Sequence, residues 1–224
     1  MKISNLTKNY ENFALTWQKD VCFEKKVYGI IGSNGCGKTT LMKIIAGLVT
    51  LDSGTIDYGH LTPKDITMMF RKPYMMNDTV YRNLIYPLTL RNIKPDPNTV
   101  EHYLELAGLS DKKKQYAPSL SGGEQQKLSF VRALIFSPKV ILIDEAFSNM
   151  DIESVALFEN YILQSQNKSP RTWIVISHQF STIERLCDHV FFMKKGNVEA
   201  EGDANHIKNI LLSRKNSQCH EKNS

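Results

Sequence analysis

The sequence predicts an α/β protein with a mostly parallel sheet, an N-terminal antiparallel β subdomain and an inserted α-helical subdomain. Three observations carry that prediction. Residues Val27 to Gly47, VYGIIGSNGCGKTTLMKIIAG, read as a strand, a glycine-rich loop and a helix. Val140-Ile141-Leu142-Ile143 and Trp173 to Ile176 are unbroken apolar runs of the length expected for strands buried on both faces. From Tyr74 to about residue 136 the pattern changes to helical periodicity broken by loops.

Composition narrows the class. The chain has 224 residues, enough for one or two domains, and its 42% hydrophobic content supports a sizeable core. No stretch approaches eighteen apolar residues, and MKISNLTKNYENF lacks the apolar region of a secretory signal, so a cytoplasmic location is expected. Cys22, Cys36, Cys187 and Cys219 are scattered, with no C-x-x-C pair or His at metal spacing, which argues against a disulfide framework or a zinc site. The net charge of +5 comes from dispersed lysines. It reads as a solvated surface rather than a nucleic-acid footprint, so no nucleic-acid partner is expected.

Taken in order, residues 2–7 and 13–17 are short strands joined by the polar turn Lys8 to Asn12. Tyr10, in that turn, is placed either to stack on a purine base or to serve as an ordinary amphipathic surface residue. After the strand Val27 to Ile31, the run Gly32-Ser33-Asn34-Gly35-Cys36-Gly37-Lys38-Thr39 fits G-x-x-x-x-G-K-[ST], the mark of a P-loop NTPase core. Its glycines let the backbone close on phosphate oxygens, and the N-terminus of the helix Thr39 to Ala46 adds positive potential. Lys38 is the group that reaches β- and γ-phosphates, Thr39 supplies a hydroxyl to Mg²⁺, and Thr40 adds a phosphate contact. Cys36, beside that helix N-terminus, is expected to be an easily alkylated thiol that bound MgATP protects.

Asp52-Ser53-Gly54 is a turn, followed by strands at Thr55 to Tyr58 and Ile66 to Phe70. Helices are expected over Thr79 to Leu90 and Thr99 to Ala107, separated by Pro95-Asp96-Pro97, with Lys112-Lys113-Lys114 as a solvated turn. Leu120-Ser121-Gly122-Gly123-Glu124-Gln125-Gln126 opens the amphipathic helix Lys127 to Phe136. A hydroxyl and free amides at a helix start make a second anion site, although a plain Ser cap has the same look. The strand ending at Asp144-Glu145 delivers two carboxylates at a ligand-binding edge, one suited to Mg²⁺ and one to polarising water. Ser148-Asn149-Met150-Asp151 begins a helix, and Ser177-His178 ends the next strand, with the His placed for a γ-phosphate contact or a purely structural role. Phe191 to Met193 and Asn197 to Glu199 form a closing hairpin, Asp203 to Leu212 a last helix, and residues 213–224 a polar, frayed tail.

These segments, in this order and at these spacings, resemble the ATPase subunit of an ABC transporter from Tyr10 to about Gly202. The most specific element is LSGGEQQ, Leu120 to Gln126. The resemblance implies that Tyr10 stacks on adenine, that Gly32 to Thr40 form the Walker A loop, and that Asp144 is the Walker B aspartate. It makes Glu145 the catalytic glutamate, Asp151 the D-loop aspartate and His178 the switch histidine. It also implies ATP and Mg²⁺ as ligands, a head-to-tail homodimer or a heterodimer with another ATPase subunit, and an integral membrane transporter subunit on a separate chain. Ser121, Gly122 and Gly123 of one subunit then complete the γ-phosphate site of the other, and the protein sits on the cytoplasmic face of the cell membrane. The implied layout is one domain over 1–212, with 1–73 and 137–212 as β subdomain and P-loop core and 74–136 as helical subdomain.

Three departures stand out. Arg71 falls where the family has its Q-loop glutamine, and an arginine has no acceptor lone pair for Mg²⁺ or water. Ala146 replaces a usual proline, and Asn149-Met150 replace Ala-Leu. They fit a divergent branch such as peptide or antibiotic self-protection exporters. The alternatives are a non-transport ABC ATPase acting as an assembly or regulatory module, or a nucleotide-sensing subunit with hydrolysis weakened by Arg71.

Overall fold

The computed structural model describes residues 1–221 apart from Asn149. Strands β1 (Lys2–Tyr10) and β2 (Phe13–Trp17) pair antiparallel, with Tyr10 opposite Phe13. The turn is therefore Glu11-Asn12 alone, shorter than the five polar residues suggested. Asp52 explains the difference, since its carboxylate takes Lys8 Nζ at 2.7 Å and the Asn9 amide at 2.7 Å and holds the polar strand end in line. The short strand β3 (Val21–Cys22) pairs with β1.

Strand β4 (Val27–Gly32) then enters the centre of the sheet, and helix α1 (Lys38–Ile45) leaves its end. Strand β5 (Ser53–Asp57) returns to β1, with a register shift between Ser4 and Thr7. That bulge, with Asn5 at φ 48°, lets Ile3 and Leu6 both bury although they are three residues apart.

The parallel core adds β6 (Ile66–Met69), β7 (Val140–Asp144), β8 (Thr172–Ile176) and β9 (His189–Lys194), in the spatial order β9-β4-β8-β7-β6. Every residue of β7 and β8 is buried, because layers cover both faces. Val140 and Leu142 pack toward α1 and the antiparallel strands, while Ile141 and Ile143 pack toward the helices. Strand β10 (Asn197–Gly202) closes a hairpin with β9 and meets β2 through Asn197 and Thr16, so the antiparallel and parallel parts form one sheet.

The helical stretch holds α2 (Val80–Thr89), α3 (Pro97–Ala107) and α4 (Gly122–Leu134). Thr79, Asp96 and Ser121 cap them by accepting from a backbone amide three residues on. Leu84, Leu104, Leu128 and Leu134 bury in the same cluster as Ile141, Trp173 and Val175, so this stretch shares its core with the sheet. Helices α5 (Ile152–Lys168) and α6 (Phe180–Leu186) follow, and α7 (Ala204–Glu221) ends the described chain. The last helix, expected over Asp203 to Leu212, runs on to Glu221, through a segment that contains neither Gly nor Pro. Residues 222–224 of the tail expected from residue 213, and Asn149 of the D-loop, lie outside the described residues.

Candidate active site

Strand β4 delivers the loop of residues 32–37 to the C-terminal edge of the parallel strands, the edge where such sheets bind ligands. Asn34, Gly35, Gly37, Lys38, Thr39 and Thr40 line a cavity of about 820 Å³ there. The amides of Lys38, Thr39 and Thr40 open α1, where no preceding carbonyl can take them within the helix. With the helix dipole they make an anion site. Gly32, Ser33 and Cys36 form the base of the loop. Lys38 Nζ donates to Gly32 O at 2.8 Å and to Ser33 O at 3.0 Å, and the Cys36 amide donates to Ser33 O at 3.3 Å.

The Cys36 side chain is only 2% exposed, in one cluster with Leu15 and Met193. A freely accessible thiol is therefore not what the fold provides, because the β9–β10 hairpin covers it: the Gly196 amide donates to Cys36 O at 3.2 Å. Tyr10 lines the cavity from the end of β1. Phe13 lines it too, with ring centroids 6.3 Å apart, and sequence reading passed it over. Its signal was the hairpin register, which sets two aromatic rings opposite each other across a two-residue turn.

At the end of β7, Thr39 Oγ1 donates to Asp144 Oδ2 at 2.8 Å. Burial pushes the Asp144 carboxyl above its ordinary value, the hydrogen bond from Thr39 opposes that, and the neighbouring Glu145 charge adds to it. A hydroxyl and a carboxylate oxygen side by side are a donor pair that suits Mg²⁺, which prefers a few protein oxygens together with phosphate and water. Among the described residues no group of three or more His, Cys, Asp or Glu could hold a metal ion.

Glu145 has a left-handed backbone, φ 52°, unusual for a residue with a side chain. Its amide donates to Ile176 O at 3.1 Å, which anchors the strained turn to β8. One carboxylate oxygen, Oε1, lies 2.6 Å from His178 Nε2, and the other, Oε2, lies 3.3 Å from Arg71 Nη1. Arg71 lines the cavity with Asp144 and Glu145, whereas His178 reaches Glu145 from an adjoining groove.

The family model of the ABC transporter matches residues 21–148. The chain belongs to the ABC transporter family. The tungstate uptake system ATP-binding protein TupC of Peptoclostridium acidaminophilum is 35% identical over 208 residues, covering 89% of this chain and 97% of TupC. The methionine import ATP-binding protein MetN 4 of Oceanobacillus iheyensis is 33% identical over 233 residues, covering 95% of this chain and 67% of that relative. Among solved structures, cbiO1 of Clostridium perfringens, part of the ABC transporter complex cbiONQ, superposes with a TM-score of 0.75 at 24% identity over 93% of this chain and 90% of that one. An ATP-binding cassette solved as a dimer in a post-hydrolysis state with ADP and Pi gives 0.80 at 22% identity, over 91% and 98% of the two chains. The fold is therefore the α/β fold of the ABC ATPases.

In this ABC ATPase the remaining predicted residues stand apart from the cavity. Ser121 caps α4, its Oγ accepting from the Glu124 amide at 3.3 Å while Glu124 Oε2 accepts from the Ser121 amide at 2.9 Å. Lys112 pairs with Glu124 and, with the bond from the Ser121 amide, holds the Glu124 carboxyl down at about 2. Ser121 and Gly122 are exposed and Gly123 half-buried, and none of the three lines the cavity. Asp151 caps α5 by accepting from the Ser154 amide at 2.8 Å, and Lys127 of α4 lies 3.4 Å from its carboxylate. The bond from the Ser154 hydroxyl, ahead of its amide, holds Asp151 down at about 2. The sequence places Gln126 in LSGGEQQ without giving it a role of its own. The side chain is fully buried and donates to Ala146 O, tying α4 to the turn that carries Glu145.

Proposed function

We propose that this chain is the ATP-hydrolysing subunit of an uptake transporter, working as one of two ATPase subunits that drive a membrane-spanning partner on a separate chain. The observation that carries the reading is the convergence of Lys38, Thr39, Asp144 and Glu145 on one cavity while Ser121 and Gly122 stand exposed elsewhere. Tyr10 and Phe13 hold the adenine, and the loop amides with Lys38 hold the phosphates. Thr39 and Asp144 would hold Mg²⁺, which would supply charge neutralisation for the transferring phosphoryl group. Glu145 accepts a proton from water as the water oxygen bonds to the γ-phosphorus. The bond from that phosphorus to the bridging oxygen breaks, and ADP leaves with its electron pair. His178 orients the Glu145 carboxylate, and the strained backbone aims it.

Ser121 and Gly123 of a second ATPase subunit, a copy of this chain or a different one, complete the γ-phosphate site from across a head-to-tail interface. ATP then stabilises the closed pair because only ATP carries the group that both halves hold. The two relatives reported above are named for tungstate uptake and methionine import, so import rather than export is the direction proposed, on the cytoplasmic face of the membrane. Among the described residues no helix is long and apolar enough to cross a membrane, which leaves the pathway to the partner.

The test is ATP hydrolysis by the purified chain beside Glu145→Gln, with size-exclusion chromatography in MgATP. Hydrolysis lost in Glu145→Gln, together with an ATP-dependent dimer, is the expected result. A Glu145→Gln chain that hydrolyses ATP at the wild-type rate overturns the assignment of the base.

A further inference from the structure

Glu145 has two carboxylate oxygens, and each faces a side chain that can carry positive charge. Oε1 lies against His178, and Oε2, which is buried and accepts no hydrogen bond, lies 3.3 Å from Arg71 Nη1. The two partners of the Arg71 pair differ in freedom: the glutamate side chain is 10% exposed and the arginine side chain 66%. Glu145 is also pinned through its amide to β8, whereas Arg71 follows the end of β6 on the surface. When this pair opens, Arg71 is the member that moves.

A water that gives its proton to Glu145 must approach a carboxylate oxygen to about 3 Å. His178 covers one oxygen and the guanidinium stands over the other. A glutamine side chain at position 71 is neutral and carries its own acceptor, so it neither holds Oε2 by charge nor excludes a water there.

We infer that Arg71 is a positioning residue that holds Glu145 in a resting, ion-paired arrangement, so that ATP hydrolysis by the chain on its own is slow until the guanidinium leaves the carboxylate. The inference rests on the reading of Glu145 as the base. The contact is a single one, without hydrogen-bond geometry, so a point charge suffices and lysine can replace arginine here, unlike at a two-pronged site. With one exposed partner the pair is weak, and the suppression amounts to about two- to fivefold rather than orders of magnitude.

The experiment compares wild type, Arg71→Gln and Arg71→Lys in ATP hydrolysis at low and high salt, between which the screening length falls from about 10 Å to about 3 Å. Arg71→Gln raises kcat about two- to fivefold at unchanged KM for ATP, and Arg71→Lys stays near wild type. Salt raises the wild-type kcat and leaves that of Arg71→Gln flat. A second readout needs no turnover: in nucleotide-free protein, the Tm of the Arg71→Gln, Glu145→Gln double variant departs from the sum of the single shifts by about 1–3 °C. A kcat at or below wild type in Arg71→Gln overturns the inference. So does a rise in KM at constant kcat, which makes Arg71 a nucleotide-binding group, and so do additive Tm shifts. If Glu145→Gln proves active, the base assignment fails instead, while the Tm cycle still reports whether the pair exists.

Discussion

Two glycines of the phosphate loop, Gly32 at a fixed position of the G-x-x-x-x-G-K-T pattern and Gly35 at a variable one, have different surroundings. Both have positive φ, 153° at Gly32 and 75° at Gly35. A Cβ on Gly32 falls 2.2 Å from Met193 O, its partner across the β4–β9 ladder, whereas a Cβ on Gly35 meets nothing within 4 Å. Gly32→Ala must push a pair of central strands apart and is expected to cost about 3 kcal/mol or more of stability. Gly35→Ala carries only the left-handed strain, about 1 kcal/mol. Urea denaturation of the two variants checks this, and equal losses mean that the close approach at Gly32 relaxes by a small strand shift. The same contrast marks what single residues disclose in a sequence. Lys38, Thr39, Asp144 and Glu145 were legible because the chemistry demands their types at those spacings. The burial of Cys36 and the pairing of Arg71 with Glu145 were not, because each depends on a strand or turn remote in the chain that no local pattern specifies.

At the level of elements, the start of α4 is held by a reciprocal box whose energy depends on charge. Glu124 sits at about 2 against an ordinary 4.5, with Lys112 as the largest cause and the Ser121 amide next. A carboxyl depressed in the folded state adds stability that is fully present above the unfolded value and is lost as pH falls through the folded one. The stability gap between wild type and Glu124→Gln is therefore expected to hold above about pH 4.5 and to shrink steadily toward pH 2. Thermal unfolding of both proteins across that range measures it, and a gap that does not change with pH shows that the Lys112 pair is screened away by solvent. The elements themselves were legible where apolar spacing and caps agreed, as in α2, α3, β7 and β8. Helix α6 was missed because it is a short segment whose helical state is set by packing Ile183 and Leu186 under the sheet. The far half of α7 was missed for the opposite reason: its polar residues show no apolar stripe, and only the absence of Gly and Pro marked it as a helix former.

At the level of the whole molecule, the proposed site is divided. The phosphate loop, Asp144 and Glu145 meet at one cavity, and the signature residues Ser121 and Gly122 face solvent at the start of α4. The proposed head-to-tail pair brings the loop of one chain to Ser121 and Gly122 of the other, and that arrangement can be tested by mixing two inactive chains. Lys38→Ala spoils the loop and leaves the signature intact, while Ser121→Arg does the reverse. If each site takes its loop from one chain and its signature from the other, a mixed pair keeps one site made of two intact halves and one with both lesions. If each chain used its own signature, both sites of the mixed pair would be broken. Random pairing makes half of the dimers mixed, each with one working site of two, so hydrolysis is expected to return to about a quarter of wild type when the chains are combined. Neither variant alone should show it. No recovery on mixing, in a preparation where the wild-type chain by itself forms an active dimer, places the signature of each chain over its own loop and rules the head-to-tail pair out.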